Sequence, residues 1–171
     1  MLSLSKILFN MMLSVLLLFF CLISFYAEKV FATVIAVYKD AIELFESGDI
    51  DKAIDTMKKL LQEHPENAEA YERLGSMLLR KGELDEAVNA FNASLKINPR
   101  LHTAKTGKGF ALLRKGDIKE AESTLKDALT LNPKPSMTYY GLGLLYEGLE
   151  DYEKAAIHFK EGIRKYKAGH H

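Results

Sequence analysis

Leu78-Leu79-Arg80-Lys81-Gly82 returns 34 residues later as Leu112-Leu113-Arg114-Lys115-Gly116. That recurrence decides the fold, because unrelated positions keep the same step. Asn98-Pro99 returns as Asn132-Pro133, and His64-Pro65 stands one step ahead of them. Gly75, Gly109 and Gly143 form a second ladder, with Ala41 in the preceding slot. Ala53, Ala87, Ala121 and Ala155 form a third. Independent ladders on one period mark a chain that stacks a single supersecondary unit. The units are 34–67, 68–101, 102–135 and 136–169.

Apolar spacing predicts two helices in each unit. In the second, Tyr71, Leu74 and Leu78 lie on one helical stripe. Leu84, Ala87, Val88, Phe91 and Leu95 lie on the next. Gly48-Asp49, Gly82-Glu83 and Gly116-Asp117 separate the helices. Glycine takes the left-handed conformation that ends a helix, and an acid favours the start of the next one. The Asn-Pro pairs stop the second helix, since proline cannot extend it. A glycine inside a helix costs about 1 kcal/mol relative to alanine, so the Gly75 ladder needs compensation. Small residues there let the two helices approach closely, with Met57, Phe91, Leu125 and Phe159 filling the space beside them. One such hairpin cannot bury its apolar face alone, but stacked neighbours can. The expected fold is therefore all-α, a solenoid of four helix-turn-helix hairpins.

This pattern resembles the tetratricopeptide repeat across nearly all of the chain after residue 33. In the second unit the family signature reads as Tyr71, Leu74, Gly75, Leu78, Ala87, Phe91, Ser94 and Pro99. The fourth carries Tyr139, Leu142, Gly143, Tyr146, Ala155, Phe159 and Gly162, with Lys167 where proline is expected. The third departs at Lys105 and Lys108, which replace apolar residues, and the first at Val37 and Asp40. The resemblance implies a right-handed superhelix whose concave wall is made by the first helix of each hairpin. It assigns that wall Tyr38, Lys39, Ile42 and Phe45, then Arg73, Ser76 and Arg80. Thr106, Phe110 and Arg114 follow, then Tyr140, Leu144 and Glu147. Such a surface suits an extended or helical protein segment with apolar anchors and some acidic character. Arg80 and Arg114 have an alternative role, neutralising the helix C-termini near which they sit. Family members that hold a chaperone's C-terminal carboxylate use Lys and Asn in the groove. Tyr38, Ile42, Arg73, Thr106 and Phe110 occupy the equivalent positions here, so that clamp is not expected.

Residues 7–26 carry no charge and are mostly Leu, Phe, Ile and Met. As a helix they reach about 30 Å, enough to cross the hydrocarbon of a bilayer. Lys6 precedes them and Glu28-Lys29 follows, a charge order that keeps the N-terminus inside and exports the rest. Residues 1–32 thus read as a signal peptide or an N-terminal transmembrane anchor, and 34–169 as the repeat domain. The apolar run exceeds the usual signal core of ~7–15 residues, as an anchor would. Val30-Phe31-Ala32 nevertheless offers a cleavage point, better than Phe25-Tyr26-Ala27, so both readings stand.

The chain carries 23 basic and 23 acidic residues, which gives no general field to gather a nucleic acid. Cys21 is the only cysteine and lies in the leader. Disulfide, CxxC and cysteine-zinc chemistry are thereby excluded from the repeats. His64, His102, His158 and His170-His171 show no metal-ligand spacing. His64 reads as a turn residue and His158 as part of a solvated face. Gly141-Leu142-Gly143 with Gly148 lies inside a repeat and lacks the Lys-Ser/Thr of a phosphate loop. Neither an enzyme nor a bound cofactor is expected. The expected function is an extracytoplasmic scaffold, periplasmic if the source is bacterial, that recruits a protein partner. It contacts the membrane through residues 7–26 if uncleaved. Residues 167–171 are too few for the polar cap that usually ends an array. Part of the last helix, Tyr152, Ile163 and Tyr166, is then open to a partner, unless Lys154, Lys160, Glu161, Arg164 and Lys165 already solvate it. Self-assembly as a homo-oligomer through such ends is the alternative, as is a non-catalytic subunit of an envelope enzyme complex.

Overall fold

The small-residue ladders sit where the two helices of each hairpin touch. A Cβ built on Gly75 would lie 2.8 Å from the Phe91 ring, one on Gly109 2.5 Å from Leu125, and one on Gly143 2.4 Å from Phe159. Only hydrogen fits at these points. The close approach compensates for the poor helix propensity of glycine by burying the large partner: Phe91 and Leu125 are fully inaccessible.

The computed structural model describes residues 4–169. Eight helices and no strand are found among them: α1 (Leu4–Glu46), α2 (Ile50–Glu63), α3 (Ala68–Lys81), α4 (Leu84–Ile97), α5 (His102–Lys115), α6 (Ile118–Leu131), α7 (Ser136–Gly148) and α8 (Tyr152–Ala168). Each odd helix pairs with the even helix that follows it, and successive hairpins stack in chain order. The result is the expected right-handed superhelical solenoid of four hairpins after an N-terminal apolar helix. Two apolar cores join along it. One is built around Met57, Leu74, Met77 and Phe91, the other around Leu112, Leu125, Leu142 and Leu145.

Gly48, Gly82 and Gly116 take φ of +94°, +94° and +88° at the hairpin turns. Their role in ending the first helices is thus met. The acid after each glycine forms no side-chain cap; only Asp151, in the fourth turn, accepts a hydrogen bond from the Lys154 amide. The fourth turn also lacks the glycine. Glu150 occupies that slot with φ of +59°, a left-handed conformation costing a side chain about 1–2 kcal/mol. Glu150→Gly is therefore expected to stabilise the fold by about 1 kcal/mol. Chemical denaturation measures this, and an unchanged midpoint would mean that the turn relaxes around the glutamate.

Lys105 and Lys108, the misfits of the third unit, keep only 22% and 16% of their side-chain exposure. Their stems lie along the hairpin while the ammonium groups reach Asp127 at 3.9 Å and Glu120 at 2.9 Å on α6. His158 also departs from expectation. Instead of a solvated face it stacks on Tyr146, ring centroids 5.2 Å apart, with Nδ1 buried and without a hydrogen-bond partner. Burial, with Lys126 nearby, lowers its pKa. The neutral ring packs as an apolar one would.

The sequence suggested a separate leader before the first repeat. The backbone contains no break there: α1 is one helix of 43 residues, roughly 65 Å at 1.5 Å per residue. Its last turns form the first helix of repeat one, while the large apolar residues between Phe9 and Tyr26 lie outside both apolar cores. Every large apolar residue described in that stretch keeps at least 44% of its surface exposed.

Candidate protein-binding wall

The curvature of the stack decides which side is concave. First helices touch across successive hairpins, α3 with α5 and α5 with α7, whereas α4 and α6 share no comparable contact. The first helices are therefore crowded on the inner side. The wall they form is knitted from helix to helix by side chains. Tyr38 on α1 accepts a hydrogen bond from Arg73 Nε on α3 at 3.0 Å. Arg80 on α3 places its guanidinium 4.8 Å from the centre of the Phe45 ring on α1. Arg114 on α5 donates to the Leu79 carbonyl in the last turn of α3. Phe110 on α5 and Tyr140 on α7 lie with ring centres 6.3 Å apart.

Arg114 thus does what its place near a helix end suggested, but for the neighbouring helix rather than its own. Arg80 is held over an aromatic face, which favours a cation. Both keep exposed surface, as do Arg73, Tyr140 and Glu147; Tyr38, Ile42, Phe45, Ser76, Phe110 and Leu144 are half-buried.

One assigned residue, Thr106, is withdrawn from the wall's surface. Thr106 is 8% exposed. Its hydroxyl lies 2.9 Å from that of Thr138 and from the His102 carbonyl, sealing the seam between α5 and α7. Lys39 pairs with Glu43 at 3.4 Å on exposed surface. Its repeat equivalents are Arg73, Gly107 and Gly141: the glycines face the preceding hairpin, whereas Arg73 reaches the wall at Tyr38.

Glu72 belongs to the wall and was overlooked. It stands on the 34-residue ladder of Tyr38, Thr106 and Tyr140, which would have identified it. Its side chain keeps 13% exposure beside Arg73 at 3.6 Å and accepts from the Ser76 hydroxyl at 3.3 Å. Burial raises its pKa, against the opposing pull of Arg73 and Ser76. An acid whose folded pKa exceeds its unfolded one weighs against folding once ionised. That penalty is absent below the unfolded pKa and complete above the folded one. Glu72→Gln is expected to raise the thermal midpoint at pH 7, with the gain vanishing as pH falls through the carboxylate range. A lower midpoint at pH 7 would show that the Arg73 and Ser76 contacts outweigh the burial.

No group of three His, Cys, Asp or Glu able to hold a metal occurs among the described residues. The wall offers cations, aromatic rings and two carboxylates, Glu72 and Glu147.

Comparison with known proteins matches this geometry. The family model described as Tetratricopeptide repeat covers residues 38–101 and 107–170. Residues 41 to the end of MamA from Desulfovibrio magneticus RS-1 share the fold with a TM-score of 0.68 at 23% identity, over 77% of this chain and 75% of that one. TTC0263, a thermophilic TPR protein of Thermus thermophilus, gives 0.71 at 23% identity, over 77% and 73%. PilF of Pseudomonas aeruginosa gives 0.70 at 21% identity, over 78% and 61%. A sequence search of curated proteins gives no match.

Proposed function

The chain belongs to the tetratricopeptide-repeat family, and on that premise we propose that it is an exported, membrane-anchored scaffold binding a protein segment along its concave wall. The observation that carries the reading is the helix-to-helix knitting of the wall. Tyr38–Arg73, Phe45–Arg80 and Phe110–Tyr140 place ordered aromatic and cationic groups at successive repeats. Side chains already held in place lose less freedom on binding, which favours affinity. The expected ligand is a segment with apolar anchors for Phe110, Tyr140 and Leu144, and carboxylates for Arg73, Arg80 and Arg114.

Residues 1–32 serve as the anchor and 34–169 as the binding domain. The exposed apolar stretch of α1 supports insertion into lipid. Continuity of the helix through both small-residue cleavage points favours retention over release. On this reading the wall stands on the extracytoplasmic side, fixed to the bilayer without a flexible linker.

Full-length protein in detergent, used as bait on a membrane extract, should capture a defined partner. Arg80→Glu and Arg114→Glu combined with Phe110→Ala should abolish that capture while leaving the circular dichroism unchanged. Capture unaffected by the triple change would sink the concave-wall reading. Extraction of the chain by alkaline carbonate, or a mature N-terminus beyond residue 26, would overturn the anchor.

A further inference from the structure

Each hairpin junction in the array is closed by the same element, though not by the same residues. The first helix of the next repeat lies in the groove between the two helices before it. On α5 the residues facing back are Ala104, Gly107 and Ala111; Ala104 and Ala111 are fully buried within the core of the first two repeats. Gly107 rests on Phe91 so closely that a Cβ would stand 2.4 Å from the ring. On α7 the equivalents are Thr138, Gly141 and Leu145, and a Cβ on Gly141 would lie 3.2 Å from Leu125. At these two junctions the helix presents a small residue at i, glycine at i+3 and an apolar residue at i+7; at the first junction, where Met57 stands in the slot of Phe91, α3 presents Ala70, Arg73 and Met77.

The groove between α7 and α8 has no such helix over it among the described residues. It is an open cleft of about 470 Å³ lined by Met137, Tyr140, Phe159, Gly162, Ile163 and Tyr166, with Ser136 and Lys167 at its margin. Met137 and Ile163 are each 58% exposed. Phe159 repeats the arrangement of Phe91: one side of its ring is pressed against Gly143 of its own hairpin, and the other faces the cleft. Continuity with the junction over Phe91, whose place Phe159 repeats, therefore defines what fits.

We propose that this cleft binds an amphipathic helix of another protein, seated as the first helix of a fifth repeat, with glycine over Phe159. The leading end of a second copy does not meet the requirement. There the three equivalent positions are Ala36, Lys39 and Glu43. A lysine would stand over Phe159, at the place where Phe91 leaves no room for a Cβ, and a carboxylate would enter an apolar cleft. The cleft and the concave wall share Tyr140 at their common edge and are otherwise lined by different residues.

The chain's own α5 supplies a probe. A fluorescein-labelled, lactam-bridged peptide of residues 102–115 keeps Gly107, with Lys105→Gln and Lys108→Gln because those lysines face α6 in the intact protein. Anisotropy with full-length protein in detergent should show saturable binding. Gly107→Leu in the peptide should weaken it about tenfold or more, the scale of a core overpacking penalty. Met137→Asp with Ile163→Asp in the protein, both at exposed positions, should do the same without shifting the thermal midpoint. Arg80→Glu with Arg114→Glu should leave peptide binding unchanged, which separates this cleft from the concave wall. Absence of binding, or equal affinity for the Gly107→Leu peptide, would overturn the proposal. So would sedimentation showing a dimer that Met137→Asp and Ile163→Asp dissolve, since a second copy would then be the occupant.

Discussion

Phe91→Ala is expected to cost about 3–5 kcal/mol of unfolding free energy, the range for deleting a fully buried ring. The upper part of that range applies because the neighbours cannot close the hole. The ring is held between Gly75 on α3 and Gly107 on α5, with Cβ positions 2.8 Å and 2.4 Å away. Neither glycine has a side chain to move inward. The ring bridges two successive repeats, so the cavity loosens both the hairpin and the junction that follows. Urea denaturation followed by circular dichroism measures the loss. A change below about 1.5 kcal/mol would mean that α5 shifts bodily onto α4, contrary to close packing of the junction.

Filling the opposite side of such a contact has the second largest effect. Gly109→Val should destabilise the fold by about 2–3 kcal/mol. Its Cβ would fall 2.5 Å from two carbons of Leu125, and Leu125 has no exposed surface into which to retreat. Replacing glycine in a helix gains less than about 1 kcal/mol of propensity, too little to offset that overlap. Gly148→Ala is the control, since no atom lies within 4 Å of its Cβ position; there the substitution should be neutral or mildly stabilising. Equal outcomes at Gly109 and Gly148 would remove close approach as the reason for the ladder.

These substitutions mark how far the sequence could be read. The pairing of Gly75 with Phe91, Gly109 with Leu125 and Gly143 with Phe159 was legible because each pair recurs at one period. The turns were legible for a local reason, since Gly48, Gly82 and Gly116 need positive φ. The wall was only partly legible. Thr106 and Tyr140 occupy the same place in consecutive repeats, yet one is sealed by α7 and the other stands open. Lys39 and Gly107 are likewise equivalent, but only Gly107 has a hairpin ahead of it. Glu72 stood on the same ladder, but a lone acid among aromatic and hydroxyl equivalents carries no sign of its burial. His158 was misplaced because stacking against Tyr146 depends on how α7 and α8 meet.

The amino-acid order alone settled the repeat, its length, the helices within it and their tight internal packing. Those follow from backbone preferences and contacts only a few tens of residues apart, and they repeat whenever the same residues do. Which wall residues stay accessible, that α1 runs unbroken from the apolar stretch into the first repeat, and that the α7–α8 cleft is left uncovered required the assembled solenoid. Exposure in a stack is conferred by the next hairpin and by the curvature that crowds the first helices together, and neither is a property of the residue itself.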